Sequence, residues 1–65
     1  MRVVYDIDAD ALTMHLKDGL VAESDEDKPG VIIDFDADGD IVGFEVLDAS
    51  RRVTDPRRIE FSAAL

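Results

Sequence analysis

Twelve residues from Asp34 to Glu45 read D-F-D-A-D-G-D-I-V-G-F-E, with acids at positions 1, 3, 5 and 12, glycine at 6 and Ile41 at 8. A hard cation such as Ca²⁺ is held by oxygen ligands at that spacing around a glycine turn. In that reading Asp34, Asp36 and Asp38 are the first ligands and Glu45 closes the shell. Other chemistry is scarce. His15 is the only histidine, Ser24, Ser50 and Ser62 have no identifiable base, and no phosphate-cradling glycine loop or His-x-x-x-His spacing is present. General-base work needs an orienting partner and a pocket. Asp8, Asp10, Asp36 and Asp38 read as residues of exposed turns, where no burial would raise a carboxyl toward neutrality. The expectation is a protein that is not an enzyme and needs no cofactor.

The elements that would position these side chains come from an internal repeat. Residues 3 to 10, V-V-Y-D-I-D-A-D, align with residues 31 to 38, V-I-I-D-F-D-A-D. Two copies are too few for a solenoid, so a duplicated β-hairpin is the economical reading. In the first copy a two-residue loop at Ala9-Asp10 pairs Ile7 with Leu12, Tyr5 with Met14 and Val3 with Leu16 on one apolar face. Asp6, Thr13, Val4, His15, Arg2 and Lys17 then share the opposite, more polar face.

The second copy has one more residue in its turn. A type I turn at Asp36-Ala37-Asp38 followed by left-handed Gly39 forms a G1 bulge and accounts for it. Continuing the pairing sets Phe35 opposite Ile41, Ile33 opposite Gly43 and Val31 opposite Glu45, with Ile32, Val42, Phe44 and Val46 on the other face. Both faces of this hairpin are then apolar. It should lie centrally, and Ile32, Val42, Phe44 and Val46 become candidates for a self-association interface. The same register turns Asp34 and Asp36 away from Glu45 and breaks the cation set. Pro29-Gly30 also stands where an entering helix would have to run. The aspartates therefore read as turn formers, with a looser Ca²⁺ site at Asp34, Asp36 and Asp38 as the competing reading.

Between the hairpins Asp18-Gly19 is a turn signal, Leu20 to Ser24 fits a short strand, and Asp25-Glu26-Asp27 reads as an exposed loop. Asp48 to Arg52 fits one helical turn. Thr54-Asp55-Pro56 resembles a helix start, favouring a short helix that lays Ile59 and Ala63 on the sheet, in competition with an extended segment. The fold class is thus α+β, mainly β: an antiparallel sheet from hairpins at residues 3 to 17 and 31 to 47, with a short C-terminal helix or extended segment, in a single domain over 1–65.

Length and charge bound the rest. A chain of 65 residues buries only about 60% of its unfolded surface, so oligomerisation, a partner or a metal is expected to supplement its core. Cysteine is absent, which excludes disulfide staples and thiolate zinc sites. No apolar run reaches signal-peptide or membrane-span length, and a cytoplasmic protein without membrane contact is expected. The chain carries 16 acids against 7 bases, net −9, which disfavours nucleic acid. Residues 1 to 50 hold 14 acids and 3 bases, while 51 to 65 hold 2 acids and 4 bases, paired at Arg51-Arg52 and Arg57-Arg58.

The residues Tyr5-Asp6, Ala9-Asp10-Ala11-Leu12 and Gly30 to Ser50, G-V-I-I-D-F-D-A-D-G-D-I-V-G-F-E-V-L-D-A-S, resemble the small prokaryotic proteins grouped as domain of unknown function 2283. The resemblance covers residues 3 to 50. It makes Tyr5, Asp6, Ala9, Asp10, Leu12, Asp34, Asp36, Gly39, Gly43 and Glu45 the signature positions. Such members typically carry a second aromatic or a β-branched residue in the strand after A-D-A-L, where this chain has Thr13-Met14-His15. The resemblance implies no activity, because that group is defined by sequence alone. Small toxin-like reading frames near such genes suggest an antitoxin-like binding role. Three readings follow: a non-catalytic module that binds a small basic protein, a small Ca²⁺-binding domain, and a structural homodimer.

Overall fold

Five strands and one helical turn follow one another in a computed structural model that describes residues 1–65: β1 (Arg2–Asp6), β2 (Ala11–His15), β3 (Glu23–Lys28), β4 (Val31–Phe35), β5 (Ile41–Leu47) and α1 (Ala49–Arg52). They form one antiparallel sheet in the order β1-β2-β5-β4-β3. The duplicated hairpins β1–β2 and β4–β5 meet through the antiparallel β2–β5 pair. This relates the two copies by a pseudo-two-fold axis normal to the sheet, with β3 added outside the second copy. As the sequence indicates, the second hairpin is central.

In the first hairpin the pairing differs from expectation by two residues. Tyr5 faces Leu12, Val3 faces Met14 and Asp6 faces Ala11, so the loop is the four residues Ile7 to Asp10. A two-residue type I′ loop would need positive φ at both Ala9 and Asp10, and alanine adopts that conformation at a cost of about 1–2 kcal/mol. Only Asp10 is left-handed, at φ 52. The Asp6 carboxylate accepts the Ala9 N–H at 3.1 Å and closes the wider turn. A shift of two preserves the faces, so Val3, Tyr5, Leu12 and Met14 share one side, while Ile7 leaves the sheet and is 63% exposed.

The second hairpin forms the anticipated turn. Gly39 N–H donates to Asp36 C=O at 3.1 Å and Asp36 N–H to Asp40 C=O at 2.9 Å, with Gly39 at φ 84. Phe35 pairs with Ile41 as expected, but a further bulge follows and Asp34 pairs with Gly43, Ile33 with Phe44, Ile32 with Glu45 and Val31 with Val46. Val42 is the extra residue. Its carbonyl accepts both Leu16 N–H at 2.7 Å and Lys17 N–H at 3.2 Å from the chain leaving β2. Beyond this bulge every side chain of β5 changes face relative to the expected register.

The result sorts the sheet into two unlike faces. Val3 and Tyr5, Leu12 and Met14, Phe44 and Val46, and Val31, Ile33 and Phe35 form a continuous apolar face across β1, β2, β5 and β4. Arg2, Val4, Thr13, His15, Gly43, Glu45, Ile32 and Asp34 make the other, mixed face. Pro29-Gly30 is the tight turn between β3 and β4, joining Lys28 to Val31 with Gly30 at φ 78. Residues Asp25-Glu26-Asp27, expected in a loop, belong to strand β3. Acids have low strand propensity, but pairing to apolar β4 supplies the ladder, and charge suits an outer strand that must not recruit further strands.

After α1 the chain has no helix or strand, contrary to the favoured helix over 54–65. Arg57 N–H donates to the Asp55 carboxylate at 3.0 Å and Arg58 N–H to Asp55 C=O at 3.1 Å, closing a turn where the helix would begin. Ile59 and Phe61 beyond it alternate with Arg58 and Glu60, a period of two that gives no helical stripe.

Gly43 is where the sheet is tightest. A Cβ at this position would collide with the Met14 carbonyl oxygen. Both flanking strands are paired there, so neither can yield freely. We expect Gly43→Ala to destabilise the fold by about 1–3 kcal/mol, the cost typical of overpacking, as measured by urea unfolding. A variant with wild-type stability would show that β2 and β5 are further apart.

Candidate functional site

The cation motif is taken up by contacts within the chain. Asp36 is held inside its own turn, where one carboxylate oxygen accepts the N–H groups of Asp38 and Asp40, each at 3.0 Å. The other lies 2.6 Å from Lys17 Nζ, with the Asp36 side chain only 14% exposed. The Lys17 ammonium and the backbone donors hold this carboxyl below its usual range, and the same pair raises Lys17. Asp34 accepts the Ser24 hydroxyl at 2.6 Å. The bulge at Val42 places Glu45 on the same face as Asp34, which corrects the expectation that they point apart. Even so, no three acidic or imidazole groups converge on a common point. Asp38 is exposed at the tip of the turn.

A second carboxylate organises more of the molecule. Asp10, expected to be a simple exposed turn residue, is left-handed and half-buried. It accepts the Tyr5 hydroxyl at 2.6 Å, the Ser50 N–H at 2.9 Å and the Ser50 hydroxyl at 2.7 Å. Its own carbonyl accepts Ala49 N–H at 3.0 Å. The first hairpin is thereby fastened to the start of α1, where Ala49 is fully buried. The opposite side of α1 is tied down by Arg52, which donates to the Pro29 carbonyl at 2.6 Å. The hydrogen bond from Tyr5, followed by those from Ser50, holds Asp10 below the usual carboxylate range. Its counterpart, the bond to Asp10, raises the Tyr5 phenol. These contacts join the signature positions Tyr5 and Asp10 to Ala49 and Ser50 in one structural knot.

His15 is exposed on the mixed face, opposite Arg2 on one side and Gly43 on the other. It lines a shallow groove of about 570 Å³ with Thr13 and Asp34, and no hydrogen bond orients its ring.

The apolar face is only partly covered by the chain, its residues other than Leu12 being half-buried. Only five residues, Ala11, Leu12, Val42, Gly43 and Ala49, are buried, and no large side chain is fully buried. Of the four expected interface residues, Phe44 and Val46 belong to this face, half-buried. Ile32 sits on the mixed face and Val42 is the buried bulge residue. Sequence reasoning missed that the bulge collects the apolar residues of β4 and β5 on one side. The sign of it was Gly43, since a glycine inside a strand marks a bulge or close backbone approach. The C-terminal segment crosses one border of the face, where Pro56, Arg57 and Ile59 line a groove of about 410 Å³ with Val3, Tyr5 and Ile7. Ile41 at the other border is 43% exposed and Phe61 of the tail 84% exposed.

A family model described as "Protein of unknown function (DUF2283)" matches residues 2–50. The chain belongs to the DUF2283 family. It is 37% identical over 51 residues to "Uncharacterized protein MJ0789" of Methanocaldococcus jannaschii, covering 78% of this chain and 43% of that protein. The chain therefore spans less than half of that relative's length. No solved structure matches. The DUF2283 match contains the whole sheet and the start of α1 and ends before the tail. No helix of the protein is long and apolar enough to cross a membrane.

Two measurements test this assignment of the carboxylates. Adding millimolar Ca²⁺ is expected to leave the thermal midpoint unchanged, since a ligand bound only by the folded chain must raise it. Asp10 titrates lower folded than unfolded, so its contribution is present above the ordinary Asp pKa of about 3.9 and fades as pH falls through the folded value. Asp10→Asn should therefore melt several degrees below wild type at neutral pH, and the gap should narrow below about pH 4. A gap constant over that range would show that the charge of Asp10 is immaterial. For Tyr5, whose folded pKa is raised, the contribution is present below about pH 10 and is lost at higher pH.

Proposed function

We propose that this DUF2283 protein is a non-catalytic protein-interaction module whose working surface is the apolar face of the sheet. One observation carries the reading: four adjacent strands gather Val3, Tyr5, Leu12, Met14, Phe44, Val46, Val31, Ile33 and Phe35 on one face, and all of them except Leu12 are only half-buried. Contiguous apolar surface that a chain leaves incompletely covered marks sites of association. The polar groups point the same way. Tyr5, Asp10, Asp36 and Lys17 are engaged with one another or with backbone in fixing turns, and His15 has no orienting partner.

A second reading rests on a different surface. Strand β3 is exposed along its whole length and carries Glu23, Asp25, Glu26 and Asp27 at the edge of the sheet, which suits a small basic partner and an antitoxin-like role. Acid-to-base docking of that kind weakens steeply with added salt.

Co-expression of the tagged chain with an untagged copy of itself and with the products of neighbouring genes separates these readings. The first expects a captured chain that is lost on Ile41→Lys, since Ile41 is exposed and its replacement leaves the monomer fold intact. The second expects capture that survives Ile41→Lys and disappears in high salt. Capture by wild type and Ile41→Lys alike, whatever the salt, would sink the first reading.

A further inference from the structure

We propose that the occupant of the apolar face is a second copy of this chain, forming a two-layer sandwich about a two-fold axis that runs parallel to the strands. The inference rests on the reading of that face as an interaction surface and names its partner.

The chain exposes 5251 Å², whereas a folded monomer of 7.2 kDa is expected to expose about 4,100 Å². The radius of gyration of 12.6 Å likewise exceeds the roughly 10.7 Å of a compact chain of this length. The molecule is a slab of 34 × 32 × 18 Å, a single sheet with a partial strap. The excess of about 1,100 Å², to which the exposed tail with Ile59, Phe61 and Leu65 contributes alongside the half-buried face, is comparable with the roughly 800 Å² that each partner contributes to a standard interface. Stacking two such sheets about 10 Å apart gives the two-layer architecture that the isolated chain lacks.

Charge selects the orientation. By register Glu23 and Asp25 flank the apolar face along β3, opposite Phe35 and Ile33. Arg57 lies at the other end of the sheet, in the groove with Val3 and Tyr5 of β1. Two identical sheets can be laid face to face about an axis across the strands or along them. An axis across the strands sets β3 over β3 and like charge over like charge. An axis along the strands sets β1 of one copy over β3 of the other, so Arg57 meets the partner's acidic border twice, with the uncharged centre buried between. It also brings Ile59 and Phe61 of the tail, half and largely exposed in the single chain, toward the second copy.

The test uses the full chain. Light scattering after gel filtration should give twice 7.2 kDa. Ile41→Lys and Phe61→Ser should each weaken self-association about ten- to hundredfold, the worth of burying one large apolar side chain, while circular dichroism shows the sheet retained. Because the protein has no cysteine, single Asp25→Cys and Arg57→Cys chains can be mixed and oxidised. The mixed disulfide should exceed both self-disulfides. A preponderance of Asp25→Cys or Arg57→Cys self-disulfides would overturn the orientation, and a dimer that survives Ile41→Lys would overturn the surface. A monomer at all concentrations rejects the second copy as occupant. If Ile41→Lys then still abolishes capture of a different chain in the co-expression experiment, the interaction reading stands without the dimer. If capture is also absent or unaffected, both fail.

Discussion

The Asp10 carboxylate is the point on which the rest of the structure turns. Left-handed at φ 52, it ends the first turn, and its two oxygens gather Tyr5 from the start of the hairpin and Ser50 from the far end of the chain. An aspartate tolerates that backbone better than most residues because its short side chain bonds locally. Here the side chain instead bridges elements forty residues apart in sequence. With α1 fastened at Asp10 on one side and by Arg52 to the Pro29 carbonyl on the other, the helical turn closes one end of the sheet. It is then unavailable as a cover for either face.

That placement has a consequence for packing. A five-stranded sheet needs a second layer over its apolar side, and the chain has already spent its one helical turn at the sheet's end. The tail supplies Pro56, Arg57 and Ile59 along β1 only. Hydrophobic burial in a domain this small is marginal even when complete, so a half-covered face is a place where stability and association are the same quantity. The duplicated hairpins sharpen this, because the pseudo-two-fold normal to the sheet keeps both copies' apolar residues on the same side and doubles the surface to be covered.

How much of this was legible in the sequence depends on which interactions were local. The repeat, the alternation in β1 and β2, the type I turn with Gly39 and the helical turn after Asp48 all follow from residues within a few positions of one another. The first hairpin's register slipped by two because Ala9 avoids the left-handed backbone that a two-residue loop requires, so Asp6 closes a wider turn and Asp10 alone is left-handed. The second slipped by one because Val42 bulges to offer its carbonyl to Leu16 and Lys17, a contact between hairpins that period-two reasoning cannot contain. A slip of one reverses faces whereas a slip of two does not. The first hairpin's apolar side was therefore correct, while the expected interface set was divided between faces. Strand β3 was expected three residues early, at Leu20 to Ser24 rather than Glu23–Lys28, for a related reason: its pairing derives from β4, and the acids Asp25 to Asp27 argue against a strand.

The aspartate motif belongs to the same logic. Its orientation was misread, since Asp34 and Glu45 do share a face, yet the residues between them are committed to other tasks. Asp36 is closed around Asp38 N–H, Asp40 N–H and Lys17, and Asp34 takes the Ser24 hydroxyl. The backbone bonds close the turn on itself, while Lys17 ties it to the chain leaving β2 and Ser24 ties β4 to β3. Three of the roughly four acceptor sites of the Asp36 carboxylate are taken by two backbone donors and an ammonium, so a cation entering there would compete with Lys17. The spacing that suits a cation shell thus also suits a hairpin whose acids stitch the turn to its flanking strands. Lys17, nineteen residues before Asp36 in sequence and 2.6 Å from it in space, engages that carboxylate in the second use.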